Sequence, residues 1–217
     1  PQQNRFIFRT YDLSKFPLFK PRLSPSQLFQ MQYNTECTFL KNAYFHNVVL
    51  YYYNLLYYGS PVFNANDLPV YLTDPSFGNS FSLDPIVDAL SYCPYTHIFS
   101  ANSIRSPNLI NGAANVATEN KSCKAIRIRN CGCTTGGEAF LNEFKNTDND
   151  YAIYYDFSGN KLNDFPDLFL AFQLINAPVE TFNFENCNMN EESIIAFFEA
   201  FSENENLWDI GEILLAG

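Results

Sequence analysis

The chain has 217 residues, enough for one large domain or for a domain with an extension. Apolar residues make up 47% and aromatic residues 17%, which excludes a disordered chain and predicts a core filled largely by the 22 Phe and 14 Tyr. The net charge of −10 is unevenly spread: residues 1–67 carry six Lys or Arg against three acids, whereas residues 68–217 carry seven against twenty, and so acidic a body excludes a nucleic-acid partner, which needs a basic surface.

Taken in order, residues 1–25 hold Pro17, Pro21 and Pro25, scattered basic residues and no sustained period, and read as an extended connector. No signal peptide stands at the front, and the missing initiator Met with the abrupt end within a repeat predicts a segment of a longer polypeptide. Ser24-Pro25 predicts a helix near 26–37, with Leu28, Phe29, Gln32 and Tyr33 sharing part of one face. Residues 46–58 fit two patterns: their Val and Tyr content suits a strand, while Val48, Tyr52, Leu55 and Leu56 fit a helical face. Either element is too apolar to stand exposed and is expected, within residues 26–67, to cap the rest of the domain. The run from Val48 to Tyr58 is also too short to insert directly into a membrane.

From residue 68 a frame of eleven positions recurs, L-x-x-L-x-L-x-x-N/C-x-L, which is that of a leucine-rich repeat. Its clearest copy is Cys123, Ile126, Ile128, Cys131 and Cys133; the next two are Ala152, Tyr155, Phe157, Asn160 and Leu162, then Val179, Phe182, Phe184, Cys187 and Met189. A weaker copy places Pro94, His97, Phe99, Asn102 and Ile104, and the earliest Val70, Leu72, Pro75 and Phe77. Leu207 and Ile210 open a last, incomplete copy. The ninth positions are 27, 29, 29 and 27 residues apart, leaving room for an outer helix in each repeat. The expected fold is therefore an α/β solenoid of about five repeats over 68–217, with parallel strands near 70–72, 97–99, 126–128, 155–157 and 182–184 in chain order.

Helix starts are marked by Asp84-Pro85, Ser106-Pro107, a Thr135/Glu138 capping box, Asp164, and Glu191-Glu192. In the last helix Ile194, Ile195, Phe198 and Phe201 are expected to pack inward.

Catalytic patterns are thin, and no enzyme is expected. Cys131-x-Cys133 with Cys123 invites a zinc reading, but the frame already uses all three as core positions and no His cluster accompanies them, so neither metal nor cofactor is expected. A Cys–His pair such as Cys93 with His97, or Cys37 with His46, is the basis for a hydrolase, a distant alternative, and the frame assigns His97 to the core. Gly136-Gly137 lacks the Lys-Ser/Thr of a phosphate loop. The cysteines are read as reduced thiols in a cytoplasmic protein, which leaves the sequon Asn120-Lys-Ser122 unused.

Binding is assigned to the strand residues between the apolar positions. Arg127 and Arg129, then Asp156, then Asn183 and Glu185 fall on successive strands about 4.8 Å apart, on the inner face that repeat proteins use for protein partners. Both arginines are expected to point away from the core.

The segment Tyr33…Cys37…Val48…Tyr52, followed by Asn66-Asp67-Leu68-Pro69-Val70-Tyr71-Leu72 and by Leu83-Asp84-Pro85-Ile86-Val87-Asp88-Ala89-Leu90-Ser91-Tyr92, resembles the entry into the repeat domain of CARMIL-family proteins, regulators of actin capping protein. Asn130-Cys131-Gly132-Cys133 and Phe157-Ser158-Gly159-Asn160-Lys161-Leu162 resemble that family's repeat turns. The resemblance implies a cytosolic scaffold in the actin cytoskeleton, often dimeric through its repeats. It departs in two ways: residues 1–25 are too few for the family's pleckstrin-homology-like domain, and the capping-protein-binding segment does not occur in these residues. The competing reading is a repeat protein of a microtubule, flagellar or other large assembly.

Overall fold

The computed structural model describes residues 23–74, 81–147 and 151–216. Two helices come first, α1 (Pro25–Phe39) and α2 (His46–Tyr57), followed by strand β1 (Val62–Asn64), a 3-10 turn, and the short helices α3 (Val70–Thr73) and α4 (Asp84–Ser91). Strands and helices then alternate: β2 (Ile98–Asn102), α5 (Leu109–Glu119), β3 (Ala125–Arg129), α6 (Gly137–Asn146), β4 (Tyr154–Asp156), α7 (Phe165–Phe172), β5 (Thr181–Asn183), α8 (Glu191–Glu203) and β6 (Glu212–Leu214). The six strands form one parallel sheet in chain order.

Helix α1 starts where Ser24-Pro25 predicts. The Ser24 hydroxyl accepts from the Gln27 N–H and the Gln27 side chain accepts from the Ser24 N–H, a closed capping box. The ambiguous stretch is helical, because Val48, Val49 and Tyr52 share one buried face against α1. Phe29 stacks on Tyr52 at 4.2 Å between ring centres, and both lie near Phe63 of β1.

The sheet corrects the frame at both ends. Residues 70–72 are helix, with Val70 exposed and only Leu72 buried, so this segment shows no strand-like pair of inward residues. Pro75 and Phe77 of the same copy lie outside the described residues. The first strand is instead Val62–Asn64, whose Phe63 pairs with Phe99. Phe99 in turn pairs with Ile126, so it fills the fourth position and not the sixth; that copy shifts by two, to Thr96, Phe99, Ala101 and Ile104. His97 is thereby exposed and Thr96 takes the buried slot. At the other end Phe182 pairs with Ile213, which moves the last copy to Ile210, Ile213 and Leu215.

In the corrected frame the exit from each strand is the same. The eighth positions Ser103, Asn130, Gly159 and Asn186 all have positive φ, between 50° and 70°. That conformation, which favours Gly and Asn, aims each N–H at the seventh-position carbonyl of the next unit: Ser103 to Arg129, Asn130 to Ser158, Gly159 to Glu185, Asn186 to Ala216, all at 2.8–2.9 Å. The ninth residue bonds in the opposite direction. Asn160 donates to the Ile128 carbonyl (2.7 Å) and its Oδ1 accepts from the N–H groups of Cys131 and Cys133. Cys131 and Cys187 make weaker versions, their thiols donating to Ala101 and Phe157 of the preceding units. This is the physical reason for an Asn or Cys in that slot.

The helices cover one face of the sheet. Between them and the strands lies an aromatic core in which Phe172 stacks on Phe182 at 4.4 Å and Phe197 meets Phe169 and Phe201. Each such buried ring is worth about 1.5–3 kcal/mol. Phe165, Leu168, Phe169 and Phe172 line the inner side of α7, which starts after Asp164 as the sequence marks it. Helix α8 follows its expected face only at Phe201, which packs on Phe197: it turns Ser193, Phe197 and Ala200 inward, and leaves Ile194, Ile195 and Phe198 at 40%, 51% and 59% exposure.

Helix ends are tied across units. The Thr135/Glu138 box is absent. Asp164, one unit on, accepts instead from Gly136 N–H and Glu138 N–H at the start of α6. The Gly136-Gly137 pair fits that close approach, since a Cβ on Gly136 would overlap Ile110 and one on Gly137 the Asp164 carbonyl. Helix α5 begins two residues beyond Ser106-Pro107, and the Ser106 hydroxyl donates back to Asp84 (3.1 Å). Buried Asn120 and Asn204 each donate to two carbonyls near the end of the preceding unit's helix, Leu90 and Cys93, and Phe172 and Ile175.

Candidate functional site on the open sheet face

The face of the sheet turned away from the helices carries the five residues picked from sequence. Two rows run across it. One is Val62, Ile98, Ala125, Tyr154, Thr181 and Glu212; the other is Asn64, Ser100, Arg127, Asp156, Asn183 and Leu214. The first row, apolar over its first four strands, was missed because the frame was read only between its apolar positions; strand parity also puts the third position on this face.

Arg127 and Asp156, on successive strands, are register partners. The ion pair, however, belongs to Arg129. Its Nε and Nη2 reach Asp156 Oδ2 at 2.7 and 2.6 Å, while Asp156 Oδ1 accepts from the hydroxyl and N–H of Ser158. Asp156 is fully buried, not an exposed ladder residue. A buried carboxylate persists only with its acceptor sites filled, and here both oxygens are used. The bond to Asp156 raises the Arg129 pKa above its ordinary value.

Asn183 is also buried, its Oδ1 accepting from Glu185 N–H at 2.9 Å. Asn64, at the same frame position, does the same for Asn66 N–H. The fifth-position Asn and Asp residues thus turn their own backbone and are structural first. The D-x-S and N-x-E spacing was the available signal for it. What a partner can reach is Arg127, half of Arg129, Glu185 and the Tyr154 ring. Arg127 lies over that ring, its guanidinium carbon 4.8 Å from the ring centre, with a buried Nε that has no hydrogen-bond partner among the described atoms.

The six cysteines are buried and unpaired. Burial pushes the thiols of Cys93, Cys123 and Cys133 up to about 12 and that of Cys187 to about 11; Cys37 and Cys131 move the same way. Cys93 donates to the Ala89 carbonyl while His97 is exposed, an arrangement opposite to that of an activated thiolate. Among the described residues no group of three or more His, Cys, Asp or Glu side chains could hold a metal ion, and no helix is long and apolar enough to cross a membrane. No protein-family model matches the chain, and no curated protein matches it.

Proposed function

We propose that the chain is a leucine-rich-repeat solenoid acting as a non-catalytic protein-interaction scaffold in the cytoplasm, in a cytoskeletal setting like that of the CARMIL-type repeat domains it resembles. The observation that carries the reading is the open face itself. Six parallel strands present a guanidinium on a tyrosine, a half-exposed second arginine and a glutamate, with no element of the described chain over them. Such a strip suits a protein partner read by charge and shape. The thiols, buried and held protonated, support a scaffold over a cysteine hydrolase.

The test is a pull-down from cell extract with Arg127→Glu and a matched thermal melt. Arg127→Glu is expected to cost about 1–2 kcal/mol, from the lost cation–π contact and a like charge in register with Asp156, whose carboxylate Arg129 still pairs. Contrary to the sequence expectation, Arg129→Glu sets a second carboxylate against buried Asp156 and is expected to cost about 3 kcal/mol. Loss of actin-assembly regulators with Arg127→Glu supports the proposal. Capture of tubulin or axonemal proteins in their place favours the microtubule reading, and unchanged capture moves the site off this face.

A further inference from the structure

Between α7 and α8 an open groove has an apolar floor of Pro166, Leu170, Ile195 and Ala196 and an acidic rim of Glu191, Glu192 and Glu199. Leu170 and Ile195 are 45% and 51% exposed. The groove exists because α8 points Phe197 inward, which leaves its aliphatic side outward beside the rim. A helix with large apolar side chains on its outer side marks an interaction surface.

Charge decides what can lie there. Residues 162–217 contain eleven Asp or Glu and no Lys or Arg. Two such grooves facing each other across a two-fold axis would therefore repel. The occupant must be apolar and basic. Residues 1–22 have that composition: Arg5, Arg9, Lys15, Lys20 and Arg22 against Asp12 alone, interleaved with Phe6, Phe8, Tyr11, Phe16 and Phe19. They join the chain just before α1, at the opposite end of the helix layer, which runs α1, α4, α5, α6, α7, α8. Helix spacings of about 8–10 Å put the groove roughly 40 Å away, so reaching it within one molecule would consume over half of the segment's extended length. A second molecule can deliver the whole segment without stretching it.

We propose that the acidic α7–α8 groove receives the basic, aromatic N-terminal segment, residues 1–22, of a second copy of the chain, in a head-to-tail association. The aromatic rings fill the floor and the basic side chains meet the rim. A head-to-tail contact need not close, so the association grows with concentration beyond a dimer. It also weakens with salt, because the rim is solvent-exposed.

The 217-residue chain is followed by sedimentation velocity over a concentration series at low and high salt, and by zero-length carbodiimide cross-linking of mixed normal and 15N-labelled chains. The expected result is concentration-dependent, salt-sensitive assembly, with mixed-label cross-links from Lys15 or Lys20 to Glu191, Glu192 or Glu199. The double variant Glu192→Lys/Glu199→Lys, both exposed positions, weakens assembly at least tenfold with an unchanged melt, and mixing it with Lys15→Glu/Lys20→Glu restores assembly. A monomer throughout, cross-links only within one label, or assembly indifferent to both pairs of substitutions overturns the proposal.

Discussion

The two ends of the sheet are finished differently. At β1 the Tyr51 hydroxyl accepts from the Asn64 N–H (3.2 Å) and donates to the Asn64 carbonyl (2.9 Å), so a side chain of α2 occupies the edge where another strand would pair. Phe63 is enclosed by Phe29, Tyr51, Tyr52 and Phe99. At β6 the even-numbered residues bond back to β5, with Leu214 and Ala216 carbonyls accepting from Phe184 and Asn186, and no described strand lies beyond. Ile213 is only partly buried and Trp208 is 64% exposed. An inner strand is held by two neighbours. The α1–α2 pair supplies β1 with a substitute for the missing one, and β6 has none among the described residues.

The largest effect that can break this comparison is a pair of truncations. Phe63→Ala is expected to cost about 3–5 kcal/mol and Ile213→Ala only about 1, measured by urea denaturation. Equal losses would mean that the two ends are equally well enclosed.

A smaller effect is confined to the capped end. Desolvation, with Glu36 and Asp84 nearby, raises the Asp88 carboxyl on α4 to about 6 against an ordinary 3.8, partly offset by a hydrogen bond from Asn115. The folded state then binds the proton before the unfolded chain does. This group's contribution makes stability fall as pH rises from about 4 to 6 and, with solvent screening of this partly exposed carboxyl, leaves a cost at neutral pH of about 2 kcal/mol. Asp88→Asn should raise the neutral-pH melting temperature and flatten the profile between those values. A profile that keeps its slope would assign the titration to another group.

The smallest is Tyr51→Phe, expected to cost about 1 kcal/mol and to speed amide exchange at Asn64 while leaving Phe184 N–H, at the far end, as it was. Unchanged exchange at Asn64 would show that something other than the hydroxyl protects the edge.

Legibility from sequence followed the same gradient. The strands around Ile126, Tyr155 and Phe182 were readable because Cys131, Asn160 and Cys187 fix their phase through a backward hydrogen bond. Around Phe99 both His97/Phe99 and Phe99/Ala101 satisfy the alternation; only the small Ala101 opposite Ile128 decides, and small residues carry little signal. β1 escaped because 36 residues, including α3 and α4, separate Phe63 from Phe99, well outside the period used. In α8, Ile194/Ile195/Phe198 and Ser193/Phe197/Ala200 are both helix-compatible sets, and the choice is made by the rings of Phe169, Phe182 and Phe184 around Phe197. For the open face, placing residues was easy and judging their burial was not. Asp156 and Asn183 look like solvent-facing polar side chains until their bonds to Ser158 and Glu185 are seen.

The strand-exit turn has a consequence for how such a chain can change length. Its eighth residue reaches forward and its ninth backward, so registration between units is set within two adjacent residues. Apart from the helix ends tied by Asp164, Asn120 and Asn204, the length from that turn to the next strand varies, with fourth-position spacings of 27, 29, 27 and 31 residues from Phe99 to Ile213. Insertion or deletion on the helical side is therefore tolerated. One residue lost between Ile128 and Cys131 would misalign both bonds at once. A block copied whole, from one turn to the next, would bring its own pair of connectors, so lengthening by duplication keeps both bonds where a shorter insertion between them does not.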